Sequence, residues 1–173
     1  MKILLAYFSR AGENYFGGQY KYIDKGNTEI ASEIIEKLCD VDVFKIEMKQ
    51  PYSDIYQECI KQAKKDLESK TKPEIKKCSV DIKNYDKIIL AYPNYWGTVP
   101  MAVFTFLESF DFSDKTIYPL CTNEGSGMGK SESDIKRTAK CSVGKGLPII
   151  GSKVEKSEKT IKNWLKENYL IKE

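Results

Sequence analysis

Residues 87–100 read KIILAYPNYWGTVP, and the order of residue types in this stretch decides the fold. Lys87 to Tyr92 is a continuous apolar run of strand length, without the polar alternation of a strand that has one wet face. Such a strand is buried on both sides. The run ends in a loop that sets a large aromatic, Trp96, beside Gly97. Pro100 then suits the first position of a helix whose apolar side continues through Phe104 and Leu107. Strand, loop and helix in that order form the repeating unit of a parallel sheet covered by helices.

The same unit recurs on either side. KILLAYF (Lys2 to Phe8) and TIYPLCT (Thr116 to Thr122) are also continuous apolar runs, VDVFKIE (Val41 to Glu47) alternates as a more exposed strand should, and Leu147 to Ile150 reads as a short final strand. Between them lie helical patterns. Asn27 or Thr28 is placed to cap a helix carrying Ile30, Ala31, Ile34, Ile35 and Leu38; Ser53 or Asp54 is placed to start one with Ile55, Cys59, Ala63 and Leu67 on one face; Ser157 opens the last, with Ile161, Trp164 and Leu165. Five strands alternating with five helical segments predict an α/β three-layer sandwich, a single domain over residues 1–173. Residues 13–26, ENYFGGQYKYIDKG, make the first strand-to-helix connection longer than usual. The Gly17-Gly18 pair between aromatic residues predicts a small hairpin there.

Composition removes several chemistries. The chain has no histidine, so Ser-His-Asp hydrolysis, a histidine-assisted cysteine nucleophile and histidine metal sites are all excluded. Lys plus Arg number 28 against 25 Asp plus Glu, interspersed rather than blocked, so charge does not suggest nucleic-acid binding. The five cysteines are scattered and form no C-x-x-C pair, which fits small core hydrophobes in a reducing cytoplasm. The N-terminal apolar run lacks a small-residue cleavage site and reads as a buried strand, and no stretch of about 18 apolar residues is long enough to span a membrane.

In an open parallel sheet, ligands sit beyond the carboxyl ends of the strands, where strand order reverses. Three loops here leave those ends. After the first strand, Ser9, Asn27 and Thr28 offer hydroxyl and amide groups beside a helix N-terminus, which suits a phosphomonoester; the same residues suffice as simple helix caps. PNYWGT offers a stacking face and a backbone able to approach a flat ring, although Trp96 by itself would serve as well in a core or at a partner contact. TNEGSG adds backbone donors and acceptors with little steric bulk, or is an ordinary turn. The conjunction is more specific than any member.

The stretch Asn123 to Ser133, NEGSGMGKSES, supplies the last three fixed positions of a phosphate-gripping P-loop in Gly129, Lys130 and Ser131, but its first position is Glu124. A carboxylate there sets negative charge against phosphate oxygens. The dinucleotide fingerprint fails too, with Lys130 at its last glycine position. A phosphoacceptor domain of similar topology would need carboxylates at the ends of the first and third strands, and FSRAG and AYPNYWG offer none.

At this point AYFSR…GNTEIASEI resembles the phosphate loop of the flavodoxin family, AYPNYWGTVP its flavin-stacking loop and CTNEGSGMG its second flavin loop. The order and spacing of elements are similar over nearly the whole chain. The resemblance implies five parallel strands in the order 2-1-3-4-5 and FMN as cofactor. It implies that Ser9, Arg10, Ala11, Asn27 and Thr28 hold the phosphate, while Pro93, Asn94, Tyr95, Trp96 and Gly97 flank the isoalloxazine on one side and Thr122, Asn123, Glu124 and Gly125 on the other. A small monomeric electron carrier between redox partner proteins is then expected, with no catalytic side chain and no metal. An FMN-dependent NAD(P)H oxidoreductase acting on quinone-like acceptors is the alternative on the same fold. The insertion falls inside the family's compact phosphate loop, and either Gly12 or Gly26 takes the place of the loop glycine.

Overall fold

The computed structural model describes residues 1–172. The principal sheet comprises β1 (Ile3–Tyr7), β4 (Asp42–Lys45), β5 (Lys87–Pro93), β6 (Thr116–Asn123), β7 (Ser142–Val143) and β8 (Leu147–Ile150), while β2 (Gly12–Phe16) and β3 (Gln19–Ile23) form a separate hairpin. The helices are α1 (Asn27–Leu38), α2 (Tyr56–Ser69), α3 (Met101–Ser109), α4 (Ser131–Ala139) and α5 (Glu158–Glu167), with 3-10 turns at Ile82–Asn84 and Gly151–Lys156. All pairings in the principal sheet are parallel, in the order β4-β1-β5-β6 followed by β7 and β8. That is the 2-1-3-4-5 order of a flavodoxin-like fold.

The unbroken apolar runs have the predicted cause. Leu4, Ala6, Ile88, Leu90 and Tyr92 point into one core layer with α3 and α4, and Ile3, Leu5, Tyr7, Ile89 and Ala91 into another with α1 and α5. Burying one such large side chain contributes about 1.5–3 kcal/mol. The edge strand β4 alternates as its sequence does, with Phe44 buried and Val43 exposed.

Three local expectations are corrected and one is extended. The final strand forms at Leu147–Ile150 as expected, and the short β7 ahead of it also pairs with β6: Val143 pairs with Ile117 and Leu147 with Leu120, so a bulge with one extra residue lies between the two pairings. Trp164 Nε1 donates to the Lys145 carbonyl at 2.6 Å and so holds that bulge from α5. Helix α2 begins at Tyr56 rather than Ser53 or Asp54, and Ile55 lies outside the apolar face, exposed. Helix α1 has Gly26, not Asn27 or Thr28, at its N-cap, and its Glu29 N–H is capped from the β1 loop by Ser9 Oγ at 3.1 Å. Pro100 stands just outside α3 as its N-cap residue, one position earlier than expected.

The hairpin forms as predicted, with Gly17 and Gly18 at positive φ in its turn. Gly26 is the tighter of the two candidate loop glycines: a Cβ there would sit 2.1 Å from Ser9 Oγ and 2.7 Å from the Arg10 carbonyl oxygen. Rotating Ser9 would relieve only the first clash. Gly26→Ala is therefore expected to destabilise the protein by about 1–3 kcal/mol. Gly18→Ala, where nothing lies within 4 Å and only the positive φ is strained, should cost about 1–2 kcal/mol, at the lower end of that range. Urea denaturation of the two variants checks the order.

Candidate functional site

The register of the central strands brings the three loops to one level. Tyr7 pairs with Ala91 and Pro93 with Thr122, so the chain leaves β1, β5 and β6 side by side. A buried hydroxyl pair, Thr28 to Thr122 at 2.7 Å, ties the first turn of α1 to the end of β6. Ser9, Arg10, Asn27 and Thr28 then meet around a small cleft of about 40 Å³, which Asn14, Pro93, Tyr95 and Thr122 complete. The leading N–H groups of a helix have no partner inside it. Glu29 gives its own to Ser9, while those of Asn27 and Thr28 take no acceptor within the protein among the described residues.

Arg10 is engaged differently from expectation. Its two terminal nitrogens donate to main-chain carbonyls, of Glu13 in the hairpin and of Ser53 before α2, the latter at 2.7 Å. Its Nε is buried without a partner, as is Asn27 Oδ1. An unpaired buried donor is costly, and this one belongs to a side chain that lines the cleft beside an open helix turn. The arrangement suits an anion, whose oxygens accept from Nε–H and from the helix N–H groups.

The small cleft adjoins a larger one of about 410 Å³, within the ordinary size range of cofactor sites, and shares Arg10, Asn14, Asn27, Pro93, Tyr95 and Thr122 with it as lining. Pro93, Asn94, Tyr95, Trp96 and Gly97 line one side, and Thr122, Asn123 and Glu124 another. The opposite wall was not anticipated: α2 contributes Tyr56, Cys59, Ile60 and Ala63, and the hairpin Asn14 and Tyr15. Cys59 and Ala63 were legible only as an apolar helix face; nothing local said that the face stops short of the core and covers a cleft. Ala11 and Gly125, both expected in the site, do not line either cleft, and Ser126 takes a place that was not expected.

The loops brace one another. Asn94 Oδ1 accepts the Gly97 N–H at 2.8 Å while Asn94 Nδ2 donates to the Gly127 carbonyl at 2.9 Å. The Gly97 carbonyl accepts the Lys130 N–H at 2.7 Å, and Gly129 packs so closely on Gly97 that a Cβ would lie 2.2 Å from that oxygen. This explains the P-loop-like run: Gly129 and Lys130 grip the neighbouring loop. Glu124 is also occupied, accepting from the N–H and hydroxyl of Ser152 at 2.8 and 2.9 Å. Trp96, at φ 53°, leans on α2 and donates its indole N–H to the Ile60 carbonyl at 3.0 Å, with half its surface exposed.

Tyr95 and Cys59 in the cleft wall are not prepared for acid, base or nucleophile work. Burial pushes the Tyr95 phenol well up, with the Cys59 thiol adding to the shift. Burial likewise raises Cys59, against an opposing pull from Arg10. Both therefore stay protonated and neutral near pH 7. Among the described residues no cluster of Cys, Asp and Glu could hold a metal ion, and no helix is long and apolar enough to cross a membrane. The site can bind and orient; any redox chemistry must come from what it binds.

Comparison with known proteins agrees with this geometry. The structure is similar to that of a candidate flavoprotein of Bacteroides eggerthii, with 26% identity, a TM-score of 0.78 and coverage of 98% of this chain and 99% of that one. A second such protein, from Bacteroides uniformis, has 25% identity and a TM-score of 0.74 over 95% of this chain and 97% of its own. A flavoprotein of Lactobacillus acidophilus solved in complex with FMN shares the fold at 20% identity, with a TM-score of 0.63 over 90% of this chain and 97% of its own. A search of curated proteins found no significant match. Residues 2–168 match the family model described as Flavodoxin, and with the strand order and the converging loops this places the chain in the flavodoxin family.

Proposed function

We propose that the protein binds FMN at this edge of the sheet and serves as a small electron-transfer protein. The observation that carries the reading is the adjacency of two unlike clefts that share six lining residues: an anion-ready turn with the unpaired Arg10 Nε beside a larger aromatic-walled space. A phosphate ester of a flat ring has that shape. Family membership supports the same cofactor, as does the shared fold of the FMN-bound Lactobacillus protein.

In this reading Ser9, Arg10, Asn27 and Thr28 serve the phosphate. Asn27 Oδ1, a buried acceptor in need of a donor, is suited to a hydroxyl of the sugar-alcohol chain. Pro93 to Gly97 and Thr122 to Glu124 enclose the ring, with Cys59, Ile60 and Ala63 excluding water from the α2 side. Bound FMN supplies one- and two-electron chemistry without a protein acid or base. The protein's own contribution would be to hold the ring beside a mouth where Trp96 and Tyr15 are exposed, open to a partner protein.

Gly97 would serve here by its shape more than by mobility. Its φ is 83°, and both its N–H and its carbonyl are hydrogen-bonded to fixed neighbours, so turning the peptide on either side of it would first break at least one of these bonds.

The first test is the visible spectrum of purified protein after incubation with FMN and removal of the excess. A bound, perturbed flavin spectrum is expected; absence of bound flavin would overturn the reading. Rapid oxidation of NADPH by the same preparation would replace the carrier role by that of an oxidoreductase. Asn94→Ala, which releases Gly97 and Gly127 together, should weaken FMN by roughly tenfold, since two hydrogen bonds at about 1 kcal/mol each exceed 1.4 kcal/mol. Flavin fluorescence titration measures it. The cleft is lined by one cation, Arg10, and one carboxylate, Glu124, already held by Ser152. The lower flavin couple is thus expected to be less negative than in a relative with acidic walls, by about 59 mV for each tenfold change in the one-electron equilibrium. An anaerobic dye titration tests this.

A further inference from the structure

We propose that Arg10 couples an anion held at the first turn of α1 to the docking of the β2–β3 hairpin on α2, so that each stabilises the other. The inference rests on the phosphate site proposed above and goes beyond it, assigning the inserted hairpin a part in cofactor retention.

The hairpin has few attachments, and they converge on one place. Its Glu13 N–H donates to the Asp54 carbonyl at 2.9 Å, and Glu13 Oε1 accepts the Tyr56 N–H at 3.0 Å, capping α2 from 43 residues away. Tyr20 packs on Tyr56 with ring centroids 5.0 Å apart and accepts from Gln57 Nε2 at 2.6 Å. All of these contacts fall on the start of α2. Arg10 reaches the same junction from the cleft side, one terminal nitrogen on the Glu13 carbonyl and the other on the Ser53 carbonyl.

The remaining nitrogen of that planar group, Nε, is buried and unpaired in a residue that lines the phosphate cleft. Because the guanidinium is rigid, an anion that fixes Nε–H also fixes the fork that grips the hairpin and the approach to α2. Conversely, an undocked hairpin leaves the fork without the Glu13 carbonyl and the Nε direction undefined. Linkage then requires the effect to be reciprocal. The influence extends to the ring cleft, since α2 carries the Ile60 carbonyl that holds the Trp96 indole.

Glu13 provides the decisive test, because it lines neither cleft and its charge would repel an anion. Glu13→Gln and Glu13→Ala remove that charge equally, but only Gln keeps an acceptor for the Tyr56 N–H. Binding of inorganic phosphate to the FMN-free protein is measured by calorimetry. Hydrogen exchange of the segment Gly12–Ile23 is followed with and without phosphate, and circular dichroism confirms that both variants are folded. Phosphate should slow exchange of the hairpin in the wild-type protein, and the Ala variant should bind phosphate about fivefold more weakly than the Gln variant, the low end of ordinary coupling. Equal phosphate affinity of the two variants, or hairpin exchange indifferent to bound phosphate, overturns the coupling and leaves the phosphate site standing. No phosphate binding by the wild-type protein overturns the site, and the coupling with it.

Discussion

Parallel pairing of β5 with β1 on one side and β6 on the other is the constraint on which everything else rests. Both faces of β5 are covered, so its residues 88–92 are wholly apolar and its register with its neighbours is set by packing on two sides at once. A slip of one residue would exchange the layer of Ile88 and Leu90 with that of Ile89 and Ala91. Because the register is held, the chain leaves the three strands at one level, and polar groups far apart in sequence meet there without spanning a distance. The Thr28 to Thr122 hydroxyl pair is the direct record of that alignment.

Beyond the strand ends, the protein provides very little chemistry and much positioning. The cleft is built from main-chain groups, neutral side chains, one guanidinium and one carboxylate held by Ser152, and Tyr95 and Cys59 in its wall are kept neutral by burial. A chain without histidine loses nothing by this if the bound cofactor carries the electrons. Rigidity is what the loops add. Asn94, Gly97, Gly127 and Lys130 tie the two loops to each other by hydrogen bonds.

The inserted hairpin changes how the phosphate loop is closed. A compact loop closes on its own; here the chain departs for a two-stranded excursion and returns at Gly26, where only the absence of a Cβ lets it pass Ser9 and Arg10. The excursion completes the site from outside, capping α2 with Glu13 and thereby steadying the wall that carries Cys59, Ile60 and Ala63. The two candidates for the loop glycine share the role, since Gly12 turns the chain out at φ 89° and Gly26 brings it back.

Periodicity and residue type alone determined the α/β class, the hairpin and the three loops at the strand ends, because apolar runs, alternation and Gly-Gly turns are short-range signals whose physical cause is local; the strand order was implied only by the family resemblance. Most of the expected site residues also come together, from Ser9 to Glu124, since strand ends converge in any fold of this class. What only the tertiary structure decided lies in contacts across long stretches of chain: that Ser9 caps α1, that Glu13 caps α2, that Arg10 divides its terminal nitrogens between the Glu13 and Ser53 carbonyls, and that Gly129 and Lys130 grip Gly97. A capping carboxylate or a forked guanidinium leaves no local signature when its partner is 43 residues away, because the hydrogen bond exists only after the sheet has brought the two segments together.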